Sequence, residues 1–374
     1  MYRIDFLLAL CALLIVAVVV ALPAAFERQT RISSDANILF YNGPAAVSLG
    51  DCGPVAVGYL TSRGLVRAQI RDRKRILHDT VVHDFATSIN PVHGATADDH
   101  APPALYFDKP SKTLYLATAY HGTDLFIYKS SVERPSWLLH RKIVGNFTYP
   151  RFVGDGMSPL LFVREIVRDA KGRPFGHLAT LDPHSGTKTT IAKAPDRGHR
   201  EEVIYASTPH VHGGKVYFAY TLFDGTRNKG AFLGVFDLKA KTWTDRKLLK
   251  DEIVPSPVTT GVWADGKRVR VGLSQTSAED GEDIIRIVEM SLNGLYEREI
   301  YRTKRPVLYY QNTVAFHPSG TWLISNPSFL HPQYVEGGRG SYLSVSSNIE
   351  RYSIRDFNTS LILTSPMFSN WCSR

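Results

Sequence analysis

What most restricts this chain is the pattern after residue 30: short runs of alternating apolar residues broken by turn residues, with no stretch of roughly twelve residues placing apolar side chains at helical spacing. Such a chain hides its apolar face by pairing strands. Six segments repeat one layout of strand, polar or glycine-containing loop, and second strand: Val55–Asp72, Thr113–Ser130, Leu160–Leu181, Lys215–Leu238, Lys267–Leu292 and Thr321–Ser347. Their starts lie roughly 45–60 residues apart, close to the ~40–50 residues of a four-stranded propeller blade. Turn chemistry agrees, because Asp182-Pro183-His184-Ser185-Gly186, His212-Gly213-Gly214-Lys215, Ala264-Asp265-Gly266-Lys267 and His317-Pro318-Ser319-Gly320 each put Gly, Pro or Asp between apolar runs. The fold expected is all-β, a seven-bladed β-propeller over residues 31–374 preceded by one N-terminal apolar helix. A pair of β-sandwiches is the competing architecture. The seventh blade would join a strand near Ile38–Val47 to strands near Arg351–Leu363, since closing the ring removes its edges.

Ahead of the strands, Phe6–Phe26 holds 21 residues without a charge. At ~1.5 Å per residue this just spans a hydrocarbon core of ~30 Å. Residues 1–30 are therefore expected to be a signal peptide or a transmembrane anchor: the small residues Ala21, Ala24 and Ala25 suit cleavage, while the length of the apolar run favours an uncleaved anchor. Either way the propeller lies outside the cytoplasm, membrane-anchored or secreted. Cys11 belongs to the apolar run, and Cys52 and Cys372 sit at opposite ends of the folded region. Ring closure would bring these last two near each other, as one disulfide in an oxidising compartment or as two unrelated thiols.

Lys and Arg number 44 against 35 Asp and Glu, a formal net charge of +9, yet no run of five like charges gathers the excess. An anionic partner is expected, and nucleic acid is not. The chain has no Gly-rich phosphate loop, Cys-x-x-Cys pair, His-Glu-x-x-His helix or Gly-x-Ser-x-Gly elbow. Nucleotide-driven and serine-hydrolase chemistry are thereby disfavoured, no metal-ligand set is indicated, and no motif names a cofactor. Aspartate boxes of the sialidase kind are missing as well, Ser319-Gly320-Thr321-Trp322 being a fragment of one.

The residues that stand out are Asp98-Asp99-His100, entering one strand, and Tyr120-His121-Gly122 one hairpin later. Thr148-Tyr149-Pro150, Phe162-Val163-Arg164, Arg200 and Tyr205-Ala206-Ser207 follow, at strand starts or inner ends where propeller residues converge on a central funnel. Arg164 is the most telling, because a guanidinium inside an apolar strand is costly to bury. With Phe40-Tyr41-Asn42-Gly43-Pro44 and Val57-Gly58-Tyr59 added, these motifs resemble the BNR-repeat-containing propellers to which ulvan lyases, a group of polysaccharide lyases, are similar. The likeness covers the first half of the domain; after Asp224-Gly225, Thr226-Arg227 stand where that family carries histidine and proline.

The resemblance implies an extracytoplasmic, monomeric polysaccharide lyase that cleaves an acidic, uronate-containing glycan by β-elimination, with His100, His121, Tyr149, Arg164 and Tyr205 as its catalytic set. Such a reaction needs a group to hold the uronate carboxylate, a base for the neighbouring proton and an acid for the departing glycosidic oxygen. Arg164 suits the first because its fork pairs bidentately with carboxylates, and His121 could assist it. His100 and Tyr149, with ordinary values of ~6.5 and ~10, suit the proton transfers, their individual roles left open. Tyr205 and Arg200 would position the sugar. The alternative is a non-catalytic glycan- or protein-binding propeller.

Overall fold

The alternation becomes strand throughout: the computed structural model is all-β, with no helix among the described residues. It describes residues 28–33, 45–50, 54–61, 63–72, 75–85, 103–120, 122–154, 159–193, 202–223, 228–248, 258–276, 282–293, 295–306, 313–316, 322–325, 333–334, 342–347 and 359–365. The apolar segment Phe6–Phe26, Cys52, Cys372 and the turn His317–Gly320 lie outside these. Among the described residues no helix is long and apolar enough to cross a membrane.

The strands are β1 (Arg28–Ser33), β2 (Ala45–Ser48), β3 (Val55–Leu60), β4 (Leu65–Arg71), β5 (Ile76–Asp84), β6 (Ala104–Asp108), β7 (Thr113–Ala119), β8 (Thr123–Ser131) and β9 (Leu138–Val153). Next come β10 (Leu160–Arg168), β11 (Pro174–Leu181), β12 (Lys188–Ala192), β13 (Glu202–Ala206), β14 (His210–His212), β15 (Lys215–Phe223), β16 (Asn228–Asp237) and β17 (Thr242–Lys247). The remainder are β18 (Val258–Ala264), β19 (Arg268–Thr276), β20 (Glu282–Ser291), β21 (Glu297–Pro306), β22 (Thr313–Phe316), β23 (Trp322–Ser325), β24 (Gln333–Tyr334), β25 (Tyr342–Ser347) and β26 (Thr359–Ser365).

Strands β2–β5 and β18–β21 each form a four-stranded sheet, β22–β24 a three-stranded one, and β6–β17 a continuous sheet of twelve. Two features make that large sheet continuous. The 16-residue β9 pairs with β8 through its first half and with β10 through its second, and β13 joins β11 in a short parallel ladder at Phe175↔Glu202 and Gly176↔Val203. Successive groups then pack face on face. Leu60, Val66 and Ile70 of the first sheet meet Leu105, Leu114 and Leu116; Ala117, Leu125 and Ile127 meet Leu161, Val163 and Ala179; and Phe162 meets Val216, Phe218 and Phe236. The same stacking continues from β15 and β16 onto β18–β20, and from Ile285 and Ile287 onto Val314. This succession of twisted sheets, each covering the apolar face of its neighbour, is a propeller-like arrangement.

Five of the six repeated segments are the hairpins expected, β3–β4, β7–β8, β10–β11, β15–β16 and β19–β20. The sixth is not, because Trp322–Ser325 pairs with β22 and β24 whereas Tyr342–Ser347 belongs to another sheet with β26. The terminal pairing also differs from expectation. Strand β26 takes β1, Arg28–Ser33, as its antiparallel partner, while Ala45–Ser48 pairs with β3 in the first four-stranded sheet. The segment Arg-Gln-Thr-Arg-Ile-Ser has too little apolar alternation to advertise that pairing.

Candidate active site around Arg164

The site is built on an irregularity in the ladder between β9 and β10. Phe162 pairs with Arg151 and Arg164 pairs with Thr148, so three steps along β9 match two along β10. One extra residue is therefore held in β9, a β-bulge at Tyr149-Pro150. Proline suits this place because a bulge spares it the ladder hydrogen bond it cannot donate. Tyr149 carries the cost, with φ at +55° in the left-handed region that glycine ordinarily fills in bulges of this kind. Strain of about 1–3 kcal/mol is expected of a bulky residue held there. It persists because the surroundings fix the strand: Tyr149 is buried, and the Gly122 N–H donates to both Phe147 O and Thr148 Oγ1 at 3.2 Å.

The bulge brings the Tyr149 ring to Arg164. The guanidinium carbon lies 4.3 Å from the centroid of the Tyr149 ring and 4.7 Å from that of Tyr205, and the two rings are 6.0 Å apart. Arg164 is only 3% exposed. Contacts between a desolvated cation and an aromatic face are worth ~2 kcal/mol or more, which offsets part of the cost of removing the charge from water. Tyr205 arrives from β13, and its approach depends on Gly176. A methyl group there would stand 2.4 Å from Val203 Cγ1 and 3.1 Å from Arg164 Cδ, so a side chain would force apart the parallel ladder that carries Tyr205.

A second arginine belongs to the same place. Arg151, just beyond the bulge, donates from Nη1 to Pro150 O at 2.9 Å and lines a cleft of about 10 Å³ together with Tyr149, Arg164, Phe162, Leu178 and Phe218. Burial lowers its guanidinium to about 10, against the pull of Tyr149 in the other direction. The cleft has room for a single water-sized occupant rather than a sugar ring.

Of the residues singled out from sequence, Tyr149, Arg164 and Tyr205 thus come together from three strands although 56 positions separate the two tyrosines. His100, His121 and Arg200 lie outside the described residues. Sequence reasoning missed Arg151 and Gly176. The first had a signal in Tyr149-Pro150-Arg151, a proline inside a strand; the second had none, because its role depends on which strand lies beside it. Among the described residues no group of three or more His, Cys, Asp or Glu side chains gathers as a metal site would require.

No protein-family model matches the sequence, and no curated protein does. Solved structures do match in fold. A PL25 ulvan lyase, a polysaccharide lyase, superposes with a TM-score of 0.59 over 91% of this chain and 96% of its own, at 12% identity. An oligogalacturonate lyase in complex with manganese superposes with a TM-score of 0.51 over 91% and 93%, at 11% identity. At such identities the likeness establishes the fold, all-β and propeller-like, and nothing of the activity.

Proposed function

We propose that this chain is a polysaccharide lyase that cleaves an acidic, uronate-containing glycan by β-elimination. The observation that carries the proposal is the clamp of Tyr149 and Tyr205 on the buried guanidinium of Arg164, at a backbone position strained to make it. Strain of this kind is retained where the surroundings over-determine it, and such places cluster at active sites. In the reaction the proton next to the uronate carboxylate is removed, its electron pair becomes a carbon–carbon double bond, and the glycosidic oxygen on the neighbouring carbon leaves with a proton. In this reading the small cleft beside Arg164 widens to admit the sugar, and Arg164 then pairs with the carboxylate and stabilises the charge that builds on it, with His121 assisting. Tyr149 and His100 carry the two proton transfers, and Tyr205 with Arg200 holds the sugar. The fold shared with two glycan lyases supports this choice over other reactions.

The same reading takes the sheets as seven blades. The twelve-stranded sheet divides into three blade-sized groups, and the pairing of β1 with β26 supports ring closure by the two ends of the chain. It also holds that the domain works as a monomer outside the cytoplasm, exported or anchored by Phe6–Phe26. The test is to incubate the protein with a panel of uronate polysaccharides and follow the ultraviolet absorbance of the conjugated product, which elimination alone creates. Absorbance that grows with time is expected for at least one glycan. Binding to a glycan without absorbance would sink the lyase and leave the non-catalytic binding propeller.

A further inference from the structure

Part of the chain's positive charge is gathered by its turns. Lys215 at the start of β15, Lys239 and Lys241 between β16 and β17, and Lys267 between β18 and β19 are all exposed. Backbone and side-chain contacts tie these turns together. Leu238 N donates to Gly214 O at 3.0 Å, and the β18–β19 turn lies so near that a methyl group on Gly266 would stand 2.8 Å from His212 Nε2. Other lysines are neutralised, Lys112 by Glu133, Lys142 by Asp124 and Lys188 by Glu165. Among the described residues, these four form no ion pair. The carboxylates that come with the turns are engaged by the turns themselves: Asp237 Oδ1 accepts the Lys239 and Ala240 N–H groups at 2.9 and 2.8 Å, and Asp265 accepts those of Lys267 and Arg268 and pairs with the Arg268 guanidinium. Lys241 moreover stands at φ +56°, where glycine would sit at less cost.

We infer that these linked turns form a second contact surface for an acidic polysaccharide, one that holds the polymer by several carboxylates at once outside the cleft at Arg164. Cations spread over an open rim suit a chain of repeated negative charge, whereas a single small anion needs donors that converge on one point. Each exposed contact is weak and screened by salt, and several on one polymer reinforce each other through effective concentration. Lys215 lies three positions from Phe218, a wall of the Arg164 cleft, about 10 Å along β15, so one polymer chain can reach both places. The choice of a sugar acid over another polyanion rests on the function proposed above.

The probe is sodium polygalacturonate, titrated onto the full chain at low and high salt beside duplex DNA of comparable length. Replacing together Lys215→Glu, Lys239→Glu, Lys241→Glu and Lys267→Glu should weaken polygalacturonate binding by about tenfold or more and flatten its salt dependence. An equal number of reversals on other exposed lysines, Lys129→Glu, Lys171→Glu, Lys193→Glu and Lys247→Glu, should change it by less than about threefold. Equal losses in the two sets, no loss in the first, or DNA bound more tightly than polygalacturonate would overturn the surface. Should the first set unfold the chain, Lys215→Gln, Lys239→Gln, Lys241→Gln and Lys267→Gln together keep the comparison: weakened binding supports the surface and undiminished binding refutes it. Binding is read apart from turnover. An unmodified chain that produces no ultraviolet absorbance defeats the lyase and leaves this comparison standing, whereas binding untouched by the first set defeats the surface even where elimination proceeds.

Discussion

Two arginines on interior strands of this protein meet opposite fates. Arg270 on β19 faces Glu289 of β20 directly across the ladder, and its Nε donates to Glu289 Oε2 at 3.0 Å. Glu289, 1% exposed, is met from the other side by its ladder partner Arg298, whose Nη2 lies 2.8 Å away, and Trp263 lies beside Arg270 at 5.2 Å. Arg164 has Leu178 and Thr148 as its ladder partners, and its ring contacts come from a strained bulge and from a strand of the next group. The first arrangement is a charge neutralised by its own sheet. The second gathers a cation and two phenols across strands at a cost in backbone strain. On the function proposed above, the first arrangement serves stability and the second serves chemistry.

The comparison is broken most severely at Glu289. Glu289→Ala leaves several guanidinium groups without their carboxylate and should destabilise the fold by about 3–5 kcal/mol in urea unfolding. Burial pushes the Glu289 carboxyl up, but hydrogen bonds from Arg298 and Arg270 outweigh it and hold it below the usual range. Its contribution to stability is therefore complete above the unfolded value of ~4.3 and is lost as pH falls through the lowered folded value. Glu289→Gln should flatten that acid limb; an unchanged limb would show that the carboxylate is not the group responsible.

Arg164→Ala is next, and its effect should fall on turnover. Losing a donor aimed at developing charge costs about 100–1000-fold in rate, so uronate elimination should drop by that factor while circular dichroism keeps the all-β signature. Arg164→Lys, which keeps the charge and loses the fork, should recover little of it. If Arg164→Ala destabilises the fold as much as Glu289→Ala does, the two arginines are not different in kind.

A smaller effect sharpens the reading of the bulge. Glycine normally weakens a strand relative to alanine, but at φ +55° the order should invert, with Tyr149→Gly more stable than Tyr149→Ala by about 1–2 kcal/mol. The smallest effect belongs to Arg268, whose side chain is 44% exposed where it pairs with Asp265. Its Nη1 also lies 3.8 Å from Glu289 Oε2, a longer contact than those of Arg270 and Arg298. Arg268→Ala should cost no more than about 1 kcal/mol, and a larger loss would mean that this long contact counts as much as the two short ones.

Much of the fold was legible in the amino-acid sequence because its causes are local. Asp182, Asp237 and Asp265 accept backbone N–H groups in tight turns, and Gly213, Gly214 and Gly266 take positive φ where the hairpins reverse. Alternation marked five of the six hairpins. The partner of the last strand was not legible, since a polar segment such as Arg28–Ser33 can pair by backbone alone. Of the site, Arg164 was legible because a cation in an apolar run violates the pattern, whereas Arg151 looked like any charge after a proline.

The sequence by itself determined that this chain forms strands, where most of them turn, and that Arg164 is set among apolar residues, because each of these depends on neighbours a few positions away. The family resemblance named Tyr149 and Tyr205 beside Arg164; only the tertiary structure decided how they meet that guanidinium, that one extra residue in β9 turns Tyr149 toward it, and that Gly176 makes room for the strand carrying Tyr205. The reason is physical: a bulge, a parallel seam and a cation held between two rings each depend on how strands distant in sequence are registered. Alternation at a period of two fixes which face of a strand is buried, but a shift of two residues preserves that pattern, so it does not choose among such registers or name the partner strand.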